Sequence, residues 1–148
     1  MLIELMEDQI SLFWDMIKHG MIQSYKIPKE FQQDFSIKML EYLLSGLSQA
    51  WVGYSISDEN ERKIHFTATT KIIDRKYYGF KVLYIDSTYS YRLMSEEMVN
   101  ELGNGLYEFA ELNNCTMIVT DYSNKRVEDY LLNLGYEKYK SSCRIMVC

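Results

Sequence analysis

Two side chains of the sequence lie where they could take up a proton during a reaction. Asp86 is near the end of an apolar run over residues 79–87, and His65 is in the neighbouring run 64–72, where apolar and polar residues alternate. A carboxylate or an imidazole can act as a general base when it is within hydrogen-bond reach of the proton that it removes. Each also has an ordinary explanation, because carboxylates often end strands and a single histidine in an alternating strand is often half-exposed. Both interpretations stay open.

The segment that follows, residues 88–97, could contact a phosphate group. Arg92 is the positively charged residue of this segment. Ser95 comes directly before Glu96, Glu97 and an apolar pattern of helical period, which is typical of a serine N-cap with acidic residues in the first turn. The N–H groups at such a helix start favour a bound anion. Two glutamates at the same place would repel it, so the segment also fits a purely structural role.

The remaining reactive residue types do not suggest a site. Cys115, Cys143 and Cys148 are an odd number of widely spaced cysteines without a Cys-x-x-Cys pair, which indicates reduced thiols rather than disulfides or zinc ligands. His19 and His65 are far apart in the sequence and away from clustered carboxylates. We therefore expect no metal centre.

Length and composition indicate one intracellular globular domain. The 148 residues are 47% hydrophobic and 25% charged, and the net charge is -5, which is typical of an ordinary globular chain. Cations occur only in pairs such as 75–76 and 125–126, so no stripe could neutralise a row of phosphates and we expect no nucleic-acid partner. No run approaches the roughly 18 apolar residues of a membrane span. The beginning of the chain also lacks the pattern of a signal peptide, and we expect a cytoplasmic protein without membrane contact.

Apolar periodicity predicts alternating groups of helices and strands. Helical spacing occurs over about residues 8–22, from Pro28 to about 47, from Ser95 to about 110, and over 124–134. Strand patterns occur over about residues 2–6, 51–56, 64–72, 79–87, 116–120 and 136–147. An early antiparallel hairpin and a late strand-helix-strand crossover predict the α+β class, with a mixed, mostly antiparallel sheet flanked by helices in a single domain, 1–148.

The last third of the chain carries a specific series of residues. After the apolar run 116–120, Asn124 opens an amphipathic segment that continues through Val127 and Tyr130, and Gly135-Tyr136 closes it. This series resembles the second half of the GCN5-related N-acetyltransferase (GNAT) fold, and the predicted order of elements is similar to that fold over essentially the whole chain. The resemblance implies an acetyl-CoA-dependent N-acyltransferase that acts on a small-molecule or protein amine.

The resemblance also implies a coenzyme site. In the family, the central strand and the loop after it hold acetyl-CoA through backbone amides and a helix N-terminus. The corresponding residues here are Ile85, Ser90, Tyr91, Arg92, Leu93, Met94, Ser95 and Asn124. Asp86 would then be the base for the amine. Tyr130 is the candidate general acid, one residue before Leu131, which stands where many members carry the tyrosine that protonates the coenzyme thiolate.

A second interpretation keeps the fold without the cofactor. Leu93 and Ser95 occupy the two glycine positions of the family's loop, and Leu131 replaces the tyrosine. The chain could therefore be a binding or assembly component that has lost its acetyl-CoA site, as happens in acetyltransferase-like proteins of tailed bacteriophages. Edge strands and the 13 tyrosines favour a homodimer in either case.

Overall fold

One mixed sheet organises the molecule. The computed structural model describes residues 1–121, 125–139 and 142–147. Its strands are β1 (Leu2–Glu4), β2 (Ser48–Ile56), β3 (Arg62–Arg75), β4 (Phe80–Ser90), β5 (Cys115–Asp121), β6 (Glu137–Tyr139) and β7 (Ser142–Met146). Its helices are α1 (Glu7–Tyr25), α2 (Gln32–Leu44), α3 (Glu96–Leu112) and α4 (Lys125–Asn133). The seven strands are arranged in the order β1-β2-β3-β4-β5-β7-β6.

All neighbouring strands are antiparallel except one pair. β4 and β5 run parallel, with Leu83 opposite Ile118, because α3 carries the chain back across the sheet between them. The β2–β3 and β3–β4 connections are hairpins. The structure thus confirms the α+β class and the mostly antiparallel sheet flanked by helices.

Helices α1 and α2 cover one face of the sheet. The apolar residues of α1 recur at spacings that place Ile10, Ile17 and Met21 on its inner side, and all three are buried. They pack with residues of α2 and β2 and with the residue that follows β1: Met39, Leu43, Ala50, Val52 and Leu5. This packing fixes α1 over the centre of the sheet.

Helix α3 covers the opposite face. Its buried residues Leu106 and Ala110 pack in a cluster with Leu83, Ile118 and other residues of the central strands. Ser95 is its N-cap and accepts a hydrogen bond from the Met98 N–H at 3.2 Å, as its position before two glutamates predicted. Only a few residues separate this cap from the end of β4 at Ser90.

Some predicted boundaries were wrong. The last predicted strand, 136–147, is two strands, β6 and β7, which pair with each other antiparallel. Strand β4 extends to Ser90, which pairs with Phe66 of β3, so Ser90 is not in the loop. Helix α2 begins at Gln32 after a short 3-10 turn, Lys29–Phe31, rather than at Pro28. In each case a partner strand or a local turn, which periodicity does not register, decides where the element ends.

None of the helices in the described ranges is both long enough and apolar enough to span a bilayer.

Candidate functional site

The parallel strands β4 and β5 separate at one end. Their pairing ends with Ile85 opposite Thr120, and β5 itself ends at Asp121. Strand β4 continues to Ser90, paired with β3 on its other side. In the described part of the chain, the edge of β4 beyond Ile85 therefore has no strand neighbour on the β5 side. The carboxyl end of a parallel pair is a common place for a ligand.

Asp86 stands at the beginning of this gap in a β-bulge. Ser87 pairs with Thr69 of β3 and Ile85 pairs with Thr70, so Asp86 is the extra residue between them. A bulge bends its strand and increases the local twist, which changes the direction of the residues that follow. The bulge accounts for the separation of β4 from β5 at this point.

Asp86 and four other titratable side chains form a cluster. The Lys71 ammonium is 3.0 Å from Oδ1 of Asp86, whose side chain is only 10% exposed. The same ammonium lies 5.2 Å from the centre of the Tyr84 ring. The Tyr84 hydroxyl donates a hydrogen bond to Oδ2 of Asp121, and the Tyr25 hydroxyl donates to the Asp86 carbonyl at 2.6 Å. Titratable groups brought together at a gap in a sheet are typical of functional sites.

The two phenols of the cluster act as hydrogen-bond donors. Partial burial, followed by the hydrogen bond with Asp86, raises the pKa of Tyr25. Burial and then the hydrogen bond to Asp121 raise the pKa of Tyr84. Both rings therefore keep their protons at neutral pH and act as donors, Tyr25 to the Asp86 carbonyl and Tyr84 to the Asp121 carboxylate.

The last turn of α1 also contacts the open edge of β4. Ser24 Oγ donates to the Thr88 carbonyl at 2.9 Å, next to the hydrogen bond made by Tyr25. The helix can come this close because of Gly20, where a Cβ would lie 2.7 Å from Thr67 Oγ1 and 3.0 Å from the Tyr89 Cβ. The last turn of α1 thus lies over the gap between β4 and β5.

The predicted coenzyme-binding residues form a continuous path from the gap to α3. Ile85 is buried in the core, so only its backbone could contact a ligand. Tyr91 donates its hydroxyl hydrogen bond to the Met16 carbonyl. Arg92 is exposed, and the Leu93 side chain is 89% exposed and does not fill the loop. Met94 is half-buried before the Ser95 cap.

Two of the predicted site residues are described only in part or not at all. Asn124 is outside the described residues. Tyr130 belongs to α4 by its backbone, and its side chain is outside the described part of the chain. The roles that the resemblance implies for both stay predictions.

The alternative base, His65, is away from the gap. It is the extra residue of a bulge between β3 and β2, and its Nε2 is 2.7 Å from Ser55 Oγ. Its Nδ1 is buried without a hydrogen-bond partner among the described residues. Burial, and then the positive charges of Arg92, the amino terminus and Lys63, lower its pKa. The side-chain contact described for His65 therefore joins β3 to β2 and does not reach the cluster around Asp86.

The gap near Asp86 and the start of α3 differ in the groups that they present. Near Asp86, donors and a carboxylate are in place. At α3, Ser95 caps the Met98 N–H, while the exposed side chains of Glu96 and Glu97 put two negative charges at the helix start. Those charges weaken but do not block an anion site, because Arg92 and the first backbone N–H groups of α3 remain beside it. Among the described residues, no three His, Cys, Asp or Glu side chains form a metal site.

Solved structures share this fold at low sequence identity. A probable acetyltransferase superposes with a TM-score of 0.73 at 10% identity, over 95% of this chain and 91% of that one. A probable acetyltransferase from Staphylococcus epidermidis gives 0.71 at 14% identity, over 100% and 99%. A predicted acetyltransferase from Clostridium acetobutylicum with acetyl-CoA gives 0.68 at 16% identity, over 95% and 91%. No family model and no curated protein matches the sequence.

At these identities, the likeness establishes the fold alone. The chain has the GNAT fold, as the residue series in its last third predicted. The sequence pattern singled out Asp86 as a candidate, but not Tyr25, Lys71, Tyr84 and Asp121, which the structure places around it. One signal could have found Asp121: it directly follows the strand predicted to run parallel to the strand that carries Asp86.

Proposed function

We propose that the protein is an acetyl-CoA-dependent N-acyltransferase whose active site is the gap between β4 and β5. The observation that supports it most is the convergence of Lys71, Asp86, Tyr84 and Asp121 where these strands separate, under the last turn of α1. The GNAT fold is consistent with it. The fold alone would not suffice, because function depends on the residues of the site.

In this proposal, Asp86 is the general base. When bound, acetyl-CoA supplies an activated acyl group as a thioester. As the acceptor nitrogen forms its bond to the acyl carbon, Asp86 takes the proton that leaves this nitrogen. Lys71 holds the carboxylate in place through its 3.0 Å contact. Tyr130 or a water molecule would give a proton to the coenzyme sulfur as it leaves the acyl carbon; a phenol has a suitable pKa for this step.

The coenzyme would be held by the path described above. The backbone from Ile85 to Ser90 would face the acyl arm, and residues 91–95 with the first N–H groups of α3 would face the diphosphate. Arg92 would add one positive charge, and Asn124 would support the cleft beside α4.

The acceptor in this proposal is an amine of a small molecule or of a protein. The carboxylates of Asp86 and Asp121 both belong to the cluster. They would attract a cationic amine to the gap. The amine would lose one proton to solvent before it attacks, and a second proton to Asp86 as the new bond forms.

Titration calorimetry with acetyl-CoA, followed by an assay of thiol release with a panel of amines, tests the proposal. We expect micromolar binding and transfer to at least one amine, and an Asp86→Asn variant should bind the coenzyme while losing most of kcat. Asp58→Asn, an exposed carboxylate in the β2–β3 turn, is the matched control and should keep full activity. Absence of binding at millimolar coenzyme would contradict the proposal.

A second candidate is a binding or assembly protein with this fold and no cofactor. The observation that favours it is the pair of exposed carboxylates, Glu96 and Glu97, at the start of α3. Ser24 and Tyr25 also already occupy two carbonyls of the open β4 edge. The same titration separates the two candidates, since this one requires no stabilisation by acetyl-CoA.

A further inference from the structure

One end of the molecule, opposite the gap, exposes aromatic side chains next to positive charge. The β3–β4 hairpin ends in a short 3-10 turn, Lys76–Tyr78. Tyr77 is fully exposed at 102% and Tyr78 is 74% exposed. The cations Arg75, Lys76 and Lys81 surround them and are exposed too, with one carboxylate, Asp74, nearby. We call residues 74–81 the basic tip.

The neighbouring surface has the opposite charge. Along the last turns of α3, Glu108, Glu111 and Leu112 are exposed, with Leu112 at 82%. Their spacing of three and four residues puts them on one outer side of the helix. We call these three residues the acidic stripe. None of the salt bridges among the described residues uses a charge of the basic tip or the acidic stripe.

The two surfaces are adjacent in the fold. Helix α3 ends shortly before Cys115, and Cys115 pairs with Lys81 at the beginning of β4. A cavity of about 390 Å³ lies beside the basic tip, lined by Lys76, Phe80 and Lys81 and, just after the end of α3, by Asn114 and Thr116. A single end of the molecule therefore presents a positive aromatic half, a cavity and a negative apolar half.

From this arrangement we propose that this end of the molecule docks a second copy of the chain. In a two-fold dimer, each patch meets its counterpart on the partner, so a surface with two complementary halves pairs with itself. The basic tip of each protomer faces the acidic stripe of its partner, and Tyr77 of each protomer enters the cavity of the other. Tyrosine and arginine, here Tyr77, Tyr78 and Arg75, are enriched at protein interfaces. The net charge of -5 favours a contact between unlike surfaces, because two acidic surfaces repel each other.

Two charge-reversal variants test the proposal by sedimentation velocity up to millimolar protein. The wild type should be a dimer. In Lys76→Glu/Lys81→Glu the basic tip becomes acidic, so both surfaces are acidic. In Glu108→Lys/Glu111→Lys the acidic stripe becomes basic, so both surfaces are basic. Each variant alone should therefore dimerise at least about tenfold more weakly. Mixed together they should form a heterodimer, since both of its contacts join unlike charges. The matched control, Lys29→Glu/Lys38→Glu at exposed positions near and on α2, should stay dimeric.

The test has outcomes that overturn the proposal. A monomeric wild type would do so, as would dimeric charge-reversed variants or a mixture that forms no heterodimer. If the monomeric wild type binds a single-stranded oligonucleotide or polyglutamate through the basic tip, the surface serves another partner. All substituted residues are exposed, so unchanged far-ultraviolet circular dichroism checks that each variant folds.

Discussion

The ammonium of Lys71 on β3 lies 3.0 Å from the carboxylate of Asp86, the extra residue of the β4 bulge. The Asp86 side chain is 10% exposed and that of Lys71 is 40% exposed. The contact therefore joins a nearly buried charge to a partner that water still reaches. Removing the partner leaves the carboxylate with little solvent to replace it.

We expect Lys71→Met to lower the free energy of unfolding by about 1–3 kcal/mol, because Asp86 loses its counter-charge in a poorly hydrated place. Urea denaturation at neutral pH measures the change. Lys18→Met is the control: its partner Asp15 is 96% exposed, so its loss should change stability by less than about 0.5 kcal/mol. Equal effects of the two substitutions would show that the Lys71–Asp86 pair contributes no more to stability than an exposed ion pair does.

Gly20→Ala should destabilise the protein by about 1–3 kcal/mol, although alanine favours helix formation. The new Cβ would lie 2.7 Å from Thr67 Oγ1 and 3.0 Å from the Tyr89 Cβ, so α1 must move away from the sheet. Gly103→Ala in α3 is the control, since its Cβ would meet no atom closer than 4.0 Å. It should be neutral or stabilising by up to about 1 kcal/mol. Thermal melting of both variants decides the comparison.

Stability should fall as the pH drops below about 6.5 because of His65. Burial lowers the pKa of His65 in the fold, so in the window between its folded and unfolded pKa values the unfolded chain binds a proton that the folded chain does not. Stability therefore rises with pH across this window and is constant on either side of it. His65→Asn should flatten this part of the curve of melting temperature against pH. An unchanged slope would mean that other groups cause the dependence.

Glu96→Gln/Glu97→Gln should strengthen acetyl-CoA binding by about three- to tenfold, because two negative charges leave the start of α3. The same change should cost roughly 0.3–1 kcal/mol of stability per glutamate, since each interacts favourably with the helix dipole. Calorimetry gives the affinity and urea denaturation the stability. Glu30→Gln/Glu41→Gln, at exposed sites before and on α2, makes the same change in net charge and is the control. An unchanged affinity would place the diphosphate elsewhere.

Local sequence predicted the elements well and the site only in part. The unbroken hydrophobicity of 79–87 identified the central strand, and Ser95 before two glutamates identified the start of α3. The bulge at Asp86 was not predictable, because it is defined by pairing with Thr69 and Thr70 on another strand. Hydrophobic patterns describe one segment at a time, while a bulge depends on two.

The members of the cluster around Asp86 come from four separate elements. Tyr25 ends α1, Lys71 is in β3, Tyr84 is in β4 and Asp121 ends β5. Each looks ordinary in its own segment, and only the sheet order brings them together. The same holds for Gly20, whose role depends on the strand beneath its helix.

The hydrogen bond from Tyr25 to Asp86 spans 61 positions of the chain, and this separation has a consequence for biosynthesis. At roughly 5–20 residues per second, the ribosome completes α1 several seconds before it adds the strand that α1 must cover. During that delay the last turn of α1 lacks the strand that accepts its hydrogen bonds, although β2 and β3 are already made. A nascent chain halted before residue 86 should therefore bind a chaperone more strongly than the complete chain.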